Sequence, residues 1–436
     1  MITEKLLAAV KSGAYDKAFA ALYGKDADMT AVRGRYMTAV ESFEKLYGAL
    51  LPCDAAVRLF SVPGRSEISG NHTDHNHGKV LAASISLDVI AVAAAWDKKE
   101  IRVKSEGFDE DVVSLDDVAS VREGDKFRSA AIIRGMADGF MKNGYLVGGY
   151  VAYTTSNVLK GSGLSSSAAF EVMVGNMLNH FYNGGKVDAV TIAKLAQYAE
   201  NVHFGKPCGL MDQTACAVGG FVAIDFYDPA RPVVEKLPFD LDGAGLSLCI
   251  VNTGGNHADL NEDYASVPAD MKKTAAMLGV SVLAETNKQA LLGKAAEIRE
   301  KLGDKCFLRA LHFFNENARV EKQKKALESG DLDSFLAGVR ASGNSSATIL
   351  QNVYTVKNVT EQGLTVALAL AAEVLSDEPH SAYRVHGGGF AGTIQSFVPN
   401  NKVPAYIALE ESVFGKDSVY VLSVRPYGAV ALDTLG

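Results

Sequence analysis

One short segment, Lys160-Gly161-Ser162-Gly163-Leu164-Ser165-Ser166-Ser167-Ala168-Ala169, constrains this chain more than any other. It lies between a strand-like run at 148–155 and an apolar helical pattern at about 167–182. Glycines let the backbone pass close to a ligand, and the consecutive Ser165, Ser166 and Ser167 add three hydroxyl donors. The unpaired N–H groups and dipole of a helix N-terminus favour a phosphate there. A serine-rich N-cap after a turn accounts for the same residues, and the loop alone leaves both readings open. Two phosphate loops are excluded. No Gly-Lys-Ser/Thr closes a Walker A motif, and Ser166 stands where a Rossmann fingerprint needs its third glycine.

A second polar stretch, Pro63-Gly64-Arg65-Ser66-Glu67-Ile68-Ser69-Gly70-Asn71-His72-Thr73-Asp74-His75-Asn76-His77-Gly78, sets an arginine between glycines and gathers three histidines and an aspartate. His72, His75 and His77 match no zinc spacing, so a polyhydroxylated ligand, which needs several fixed donors and acceptors, is the better reading. A third stretch joins Gln197-Tyr198-Ala199-Glu200 to Pro207-Cys208-Gly209-Leu210-Met211-Asp212-Gln213. Taken singly, Asp212 after a turn reads as a helix cap. The fourth is Val385-His386-Gly387-Gly388-Gly389-Phe390-Ala391-Gly392. Its His-Gly-Gly-Gly resembles a lipase oxyanion strand, but no Gly-x-Ser-x-Gly supplies a nucleophile, so a glycine turn backing another loop is the plainer reading.

Around these stretches the chain alternates helices and strands. Residues 2–23 and 29–49 read as amphipathic helices broken at Asp26-Ala27-Asp28, and a strand over 55–62 ends at a Pro63-Gly64 turn. Strands follow at 80–94 and 100–104, helices at 126–143 and 190–202, and a strand at 220–226. Beyond a Pro-containing boundary at 227–232, helices at 260–279, 287–302, 315–327, 331–342 and 359–376 precede strands at 383–398 and 418–426. Strands mixed with helices without strict alternation imply an α+β fold rather than a doubly wound parallel sheet. Forty-three basic against 51 acidic residues leave a net charge of −8 and no basic block, which argues against nucleic acid and anionic membranes. Five scattered cysteines with no C-x-x-C pair, no signal-like N-terminus and no apolar run of membrane-spanning length make a cytoplasmic protein with reduced thiols the expectation.

In this order, the four stretches resemble the signatures of the GHMP kinase superfamily, and within it those of the galactokinases. The first family signature reads Pro-Gly-Arg-Val-Asn-Leu-Ile-Gly-Glu-His-Thr-Asp-Tyr-Asn-Gly-Gly and is matched, with substitutions, by 63–78. Gly-x-Gly-Leu-Ser-Ser-Ser-Ala matches 161–168, the Gln-x-Ala-Glu and Pro-Cys-Gly-x-Met-Asp-Gln pair matches 197–200 and 207–213, and Gly-Gly-Gly-Phe-x-Gly matches 387–392. The resemblance implies a two-domain GHMP-kinase-like fold with mixed and antiparallel sheets and the active site in the cleft between domains. Residues 1–228 would form the N-terminal domain, with a helical extension over 1–50, and 229–436 the C-terminal domain.

The resemblance also implies an ATP-dependent sugar 1-kinase that acts as a monomer or small homo-oligomer on a small-molecule sugar. Gly161, Ser162, Gly163, Leu164, Ser165, Ser166 and Ser167 would wrap the ATP phosphates, and Ser167 and Glu200 would hold Mg2+. Asp212 would accept or orient the proton of the attacking hydroxyl, with Arg65 beside it. Asn71, His72, Asp74, Asp212 and Tyr264 would bind the sugar.

The departures fall on the sugar side. Asn71 replaces the family's Glu, His75 its Tyr and His77 its Gly, and Val356-Lys357-Asn358-Val359-Thr360 stands where the family has Cys-Pro-Glu-Leu-Asp. Galactose leads as substrate, with a related sugar such as galacturonate, or a non-catalytic sugar sensor, as alternatives. Because a neutral Asn71 would no longer repel a C6 carboxylate, the sequence predicts that Asn71→Glu preserves or improves use of galactose and suppresses galacturonate.

Overall fold

The computed structural model describes residues 2–24, 27–158, 163–254 and 260–435. Among the described residues, twelve strands form two sheets. The larger holds β1 (Val57–Ser69), β2 (Lys79–Ala95), β3 (Glu100–Ser105), β4 (Glu110–Ser114), β5 (Tyr150–Ser156), β6 (Phe221–Asp225), β7 (Val233–Leu237) and β12 (Val430–Ala431). Its order is β12-β1-β2-β5-β3-β4, with β6 and then β7 added beside the first half of β2. All its pairings are antiparallel except β3 with β5, so the sheet is mixed. The smaller sheet, ordered β11-β8-β10-β9, contains β8 (Leu246–Asn252), β9 (Ala382–Val385), β10 (Thr393–Pro399) and β11 (Val419–Leu422), all antiparallel. The α+β expectation holds.

The long apolar run of β2 is buried on both faces, which the period of two along a strand explains. Val89, Ala91 and Ala93 join the core beneath the helices Ser129–Lys142 and Ser166–Tyr182. Ile90, Val92 and Ala94 face the N-terminal helices and pack with Phe19, Tyr36 and Phe43. Residues 1–50 therefore supply the second cover of the large sheet. They are tied down by Asp88, which is fully buried and accepts from Arg35 Nη1 at 2.5 Å, Tyr23 Oη at 2.6 Å and Arg425 Nη1 at 3.2 Å. Burial would raise the Asp88 pKa, but the charges of Arg35 and Arg425 outweigh it and hold the carboxyl below its ordinary value.

Several boundaries differ from expectation for physical reasons. Gly13, at φ 84°, ends one helix (Glu4–Ser12) with an αL cap before a second begins at Asp16, so residues 2–23 are two helices. Asp28 caps the next helix, accepting from the N–H groups of Thr30 and Ala31, while Asp26 lies outside the described residues. The Pro63-Gly64 pair is not a turn. β1 runs straight through it, with register shifts at Pro63/Arg65 and Glu67/Ser69. Residues 228 and 229 lie between β6 and β7 of the large sheet, and β12 returns to that sheet from the C-terminus, so the hydrogen-bonded sheets do not part at that point. All five cysteines are free.

In the smaller unit, the helix Val403–Phe414 buries Glu410 beside Tyr406, whose hydroxyl pairs with Ser396 Oγ at 2.8 Å. Burial pushes the Glu410 carboxyl up from 4.5 to about 8. A raised folded pKa favours the protonated form in the folded state. The stability is therefore fully present below about 4.5 and is lost as the pH rises towards 8. Glu410→Gln, neutral throughout, is expected to unfold at a temperature close to wild type near about pH 5 and at a clearly higher one near about pH 8. Thermal unfolding across that range checks it, and a pH-independent difference would contradict the burial argument.

Candidate active site

The site is built where β1 crosses the glycine–serine loop. A Cβ on Gly64 would lie 2.7 Å from the Leu164 carbonyl oxygen, so only glycine allows this approach. The next residue seals it, because the Arg65 N–H donates to that same oxygen at 3.1 Å. The Arg65 guanidinium, almost fully buried, then forks onto Asp212, with Nε to Oδ1 at 2.8 Å and Nη2 to Oδ2 at 2.7 Å. Its remaining nitrogen, Nη1, donates to the Gly163 carbonyl.

Ser165 precedes the helix Ser166–Tyr182 in the αL conformation, at φ 60°. Its hydroxyl does not cap the helix. It donates to Asp212 Oδ2 at 2.5 Å, so the N-cap reading of the serines fails at this position. Asp212 lies in the first turn of the helix Met211–Val218 and is not a cap either. Burial would raise its pKa, but the charge and paired hydrogen bonds of Arg65, the Ser165 hydroxyl and Lys206 hold it below the ordinary value. Gly161 and Ser162 lie outside the described residues. Leu164 is buried, anchoring the loop from below.

Beside this dyad opens a cavity of about 480 Å³. Its lining combines apolar side chains, among them Phe108, Ile132, Phe170 and Phe204, with polar ones, among them Ser166, Ser167, Glu171, Glu200 and Lys206. That combination suits a nucleotide, whose base takes apolar surroundings and whose phosphates suit a helix N-terminus. Glu200 sits on a π-helical turn, Ala199–Phe204, and is almost fully buried. Gln213 Nε2 donates to both Glu171 Oε2, at 3.0 Å, and Glu200 Oε2, at 2.9 Å, holding two carboxylates together. Burial, and then the charge of Glu200, pushes Glu171 up to about 8. Lys206 Nζ reaches Glu200 Oε1 at 3.2 Å. No group of three His, Cys, Asp or Glu that could cage a metal is found among the described residues. Two crowded carboxylates beside Ser167 do fit Mg2+, which characteristically takes one or two carboxylates and completes its shell with substrate phosphates and water.

Of the residues expected to bind sugar, Asn71, His72 and Tyr264 converge on the Gly387–Gly389 turn. His72 Nε2 donates to the Gly388 carbonyl at 2.9 Å, and the Tyr264 hydroxyl donates to that of Gly389 at 2.9 Å. Burial lowers the His72 pKa to about 4, so the ring that donates is neutral. Asp74 packs on Gly209, where a Cβ would meet Asp74 Oδ2 at 2.4 Å. Asn71 departs from expectation. It is fully buried, with Nδ2 donating to Glu67 Oε1 at 2.9 Å and to the Gly387 carbonyl at 2.7 Å. Its Oδ1 accepts from Asn352 Nδ2 at 2.7 Å and from Ser346 Oγ at 3.3 Å. Every hydrogen-bonding position of the amide is taken by protein, so Asn71 organises the site rather than presenting itself to a sugar. His75 is exposed on a short turn and His77 ends it at φ 60°, and neither joins the dyad. Sequence reasoning did not single out Glu67, Glu171, Gln213 or Asn352. Gln213 closes the third motif, and Glu171 lies one helical turn beyond Ser167.

The fold matches solved kinases. Against the crystal structure of Lactococcus lactis galactokinase complexed with galactose, the TM-score is 0.74 at 24% identity, covering 89% of this chain and 98% of that one. Against a mevalonate kinase it is 0.59 at 12% identity, covering 84% and 98%. These likenesses define a GHMP kinase fold. In sequence, residues 131–220 match the family described as GHMP kinases N terminal domain, and residues 41–95 match the galactokinase galactose-binding signature. The galactokinase of Streptomyces coelicolor is 33% identical over 382 residues, 86% of this chain and 92% of that protein. That of Lactobacillus helveticus is 31% identical over 355 residues, 80% and 87%. The chain belongs to the galactokinase family of the GHMP kinases.

Gly163 tests the loop. Its φ is +73°, and an added Cβ would sit 3.3 Å from His386 Nδ1. Gly163→Val is expected to weaken ATP binding by about tenfold or more, because a branched side chain resists positive φ. Sugar binding measured without nucleotide should change far less. Titration calorimetry with each ligand checks it, and equal losses for both would indicate global damage.

Proposed function

We propose that the protein is a galactose 1-kinase, transferring the terminal phosphoryl group of ATP to the anomeric hydroxyl of galactose. The observation that carries this reading is the Arg65–Asp212 ion pair, bound on one side to the loop through Gly163 and Ser165 and set beside the cavity. Phosphoryl transfer asks a protein mainly for positioning and charge neutralisation, and this arrangement supplies both.

In this reading Gly161, Ser162, Gly163, Leu164, Ser165, Ser166 and Ser167 wrap the phosphates. Ser167 and Glu200 would hold Mg2+, which when bound supplies neutralising charge to the phosphate oxygens. Asp212, kept ionised by Arg65, accepts a hydrogen bond from the attacking hydroxyl and aims it along the cavity. A carboxyl held below its ordinary pKa is a weak base. The orienting role therefore comes first, and the proton follows as bonding to phosphorus makes the hydroxyl more acidic. Arg65 spreads positive charge beside the transferring group. His72, Asp74 and Tyr264 hold the sugar, and Asn71 is reassigned from sugar contact to support. The galacturonate alternative rested on His75 in place of the family's Tyr and on a neutral position 71, and the Glu67 carboxyl hydrogen-bonded to Asn71 bears only on the second of these. No helix among the described residues is long and apolar enough to cross a membrane.

An ADP-release assay over galactose, galacturonate and arabinose, with the product's phosphate position read by phosphorus NMR, tests the reading. Galactose is expected to give the 1-phosphate with the highest kcat/KM. Asp212→Asn is expected to lower kcat by ~10²–10⁴-fold while ATP still binds. Absence of galactose turnover in wild type, or an Asn variant retaining more than about a tenth of kcat, overturns it.

A further inference from the structure

The family signature of the first polar stretch has an amide at the position of Glu67 and a carboxylate at that of Asn71. This chain has the same two groups in the opposite order. The structure brings them into contact, with Asn71 Nδ2 donating to Glu67 Oε1 at 2.9 Å. Both are buried, Glu67 at 6% exposure and Asn71 at 0%. We propose that Glu67 and Asn71 work as one interlocked carboxylate–amide pair that positions the sugar side of the site, and that the pair tolerates inversion but not the change of either member alone. The sugar arm of this proposal rests on the kinase reading above.

Three features give the pair its role. Asn71 Nδ2 also holds the Gly387 carbonyl, and the next two carbonyls of that turn accept from His72 and Tyr264. The orientation of the turn, and with it of both proposed sugar contacts, therefore passes through the Asn71 amide. That amide has a single allowed orientation, because Asn352 Nδ2 donates to its Oδ1, and exchanging oxygen and nitrogen would set donor against donor. Glu67, lastly, is the carboxylate partner of Arg384 among the described residues, at 3.5 Å from Nη2, and Arg384 is itself fully buried and donates to the Ile68 carbonyl at 2.8 Å.

An amide facing a carboxylate is complementary whichever position holds which. Two carboxylates in that space could not both ionise, and two amides would leave buried Arg384 without its carboxylate. The sequence-based expectation for Asn71→Glu is therefore reversed. Placed opposite Glu67, a second carboxylate should harm the use of galactose.

The test is a double-mutant cycle of Glu67→Asn, Asn71→Glu and the exchanged double variant, read by galactose KM, ATP KM, kcat and thermal unfolding midpoint. Each single change is expected to raise galactose KM by about tenfold or more, with ATP KM within about twofold and a lowered midpoint. The exchanged variant is expected to return galactose KM to within about threefold of wild type and to recover most of the lost midpoint. Additive losses in the double variant, or an Asn71→Glu protein that uses galactose as well as wild type, overturn the proposal. Glu67→Gln and Glu67→Ala give a second reading if the exchanged chain does not fold. Gln keeps an acceptor for Asn71 and should raise galactose KM less than Ala, and equal losses would contradict the pair. If wild type proves inactive on every sugar, the kinase reading fails, while non-additive midpoints still report on the pair by themselves.

Discussion

The Arg65 guanidinium is the constraint on which the rest of the site depends. It is buried, permanently charged and committed through three nitrogens, two to Asp212 and one to the Gly163 carbonyl. A buried cation needs both a counter-charge and filled donors, and removing either is costly. That requirement joins three segments far apart in sequence: β1, the loop entering the helix Ser166–Tyr182, and the helix Met211–Val218. Gly64 makes the crossing possible sterically, and the backbone bond from Arg65 to Leu164 fixes its height. The carboxylate proposed to face the substrate is thus held ionised and aimed by the group that anchors the loop proposed to hold the phosphates.

Around that centre the two ends of the site are held by different means. The end proposed for the nucleotide uses the termini and turns of helices, with Gln213 holding together Glu171 and Glu200, which line the cavity. The end proposed for the sugar uses carbonyl oxygens of the Gly387–Gly389 turn as acceptors for Asn71 and His72 from the segment that follows β1, for Tyr264 from the helix Asn261–Met277 and for Asn352. His312 reinforces it from the helix Asp304–Ser329, with Nε2 donating to the Asn71 carbonyl at 3.0 Å. The turn approaches so closely that a Cβ on Gly388 would lie 2.5 Å from Tyr264.

Much of this was legible in the sequence, and what was not has physical reasons. The order of the four motifs was enough to imply the fold, the family and the partnership of Arg65 with Asp212. The serine loop was ambiguous by itself because a phosphate cradle and an N-cap use the same residues. Only the hydrogen bond from Ser165 to Asp212 separates them at that position. Pro63-Gly64 read as a turn because glycine and proline usually mark one, whereas here the glycine serves a close approach within a strand. Glu67 escaped notice because the residues after Pro63-Gly64 read as a polar stretch, in which a carboxylate looks like a solvent-facing position. Its partners, Asn71 and Arg384, are brought to it only by the bulge in β1 and by the folding back of β9. The strand Val233–Leu237 was hidden by the prolines before it, and the helix Val403–Phe414 by a proline that fits its first turn.

The central claim, that one guanidinium both orients Asp212 and anchors the phosphate loop, is tested most directly by Arg65→Lys, followed by kcat/KM for galactose and the affinity for ATP in the same protein. Lysine keeps the charge but, as a point donor, cannot span both carboxylate oxygens and the Gly163 carbonyl together. The account predicts a fall in kcat/KM of about 10² or more together with weakened ATP binding. A lysine variant within about threefold of wild type in both quantities would contradict it.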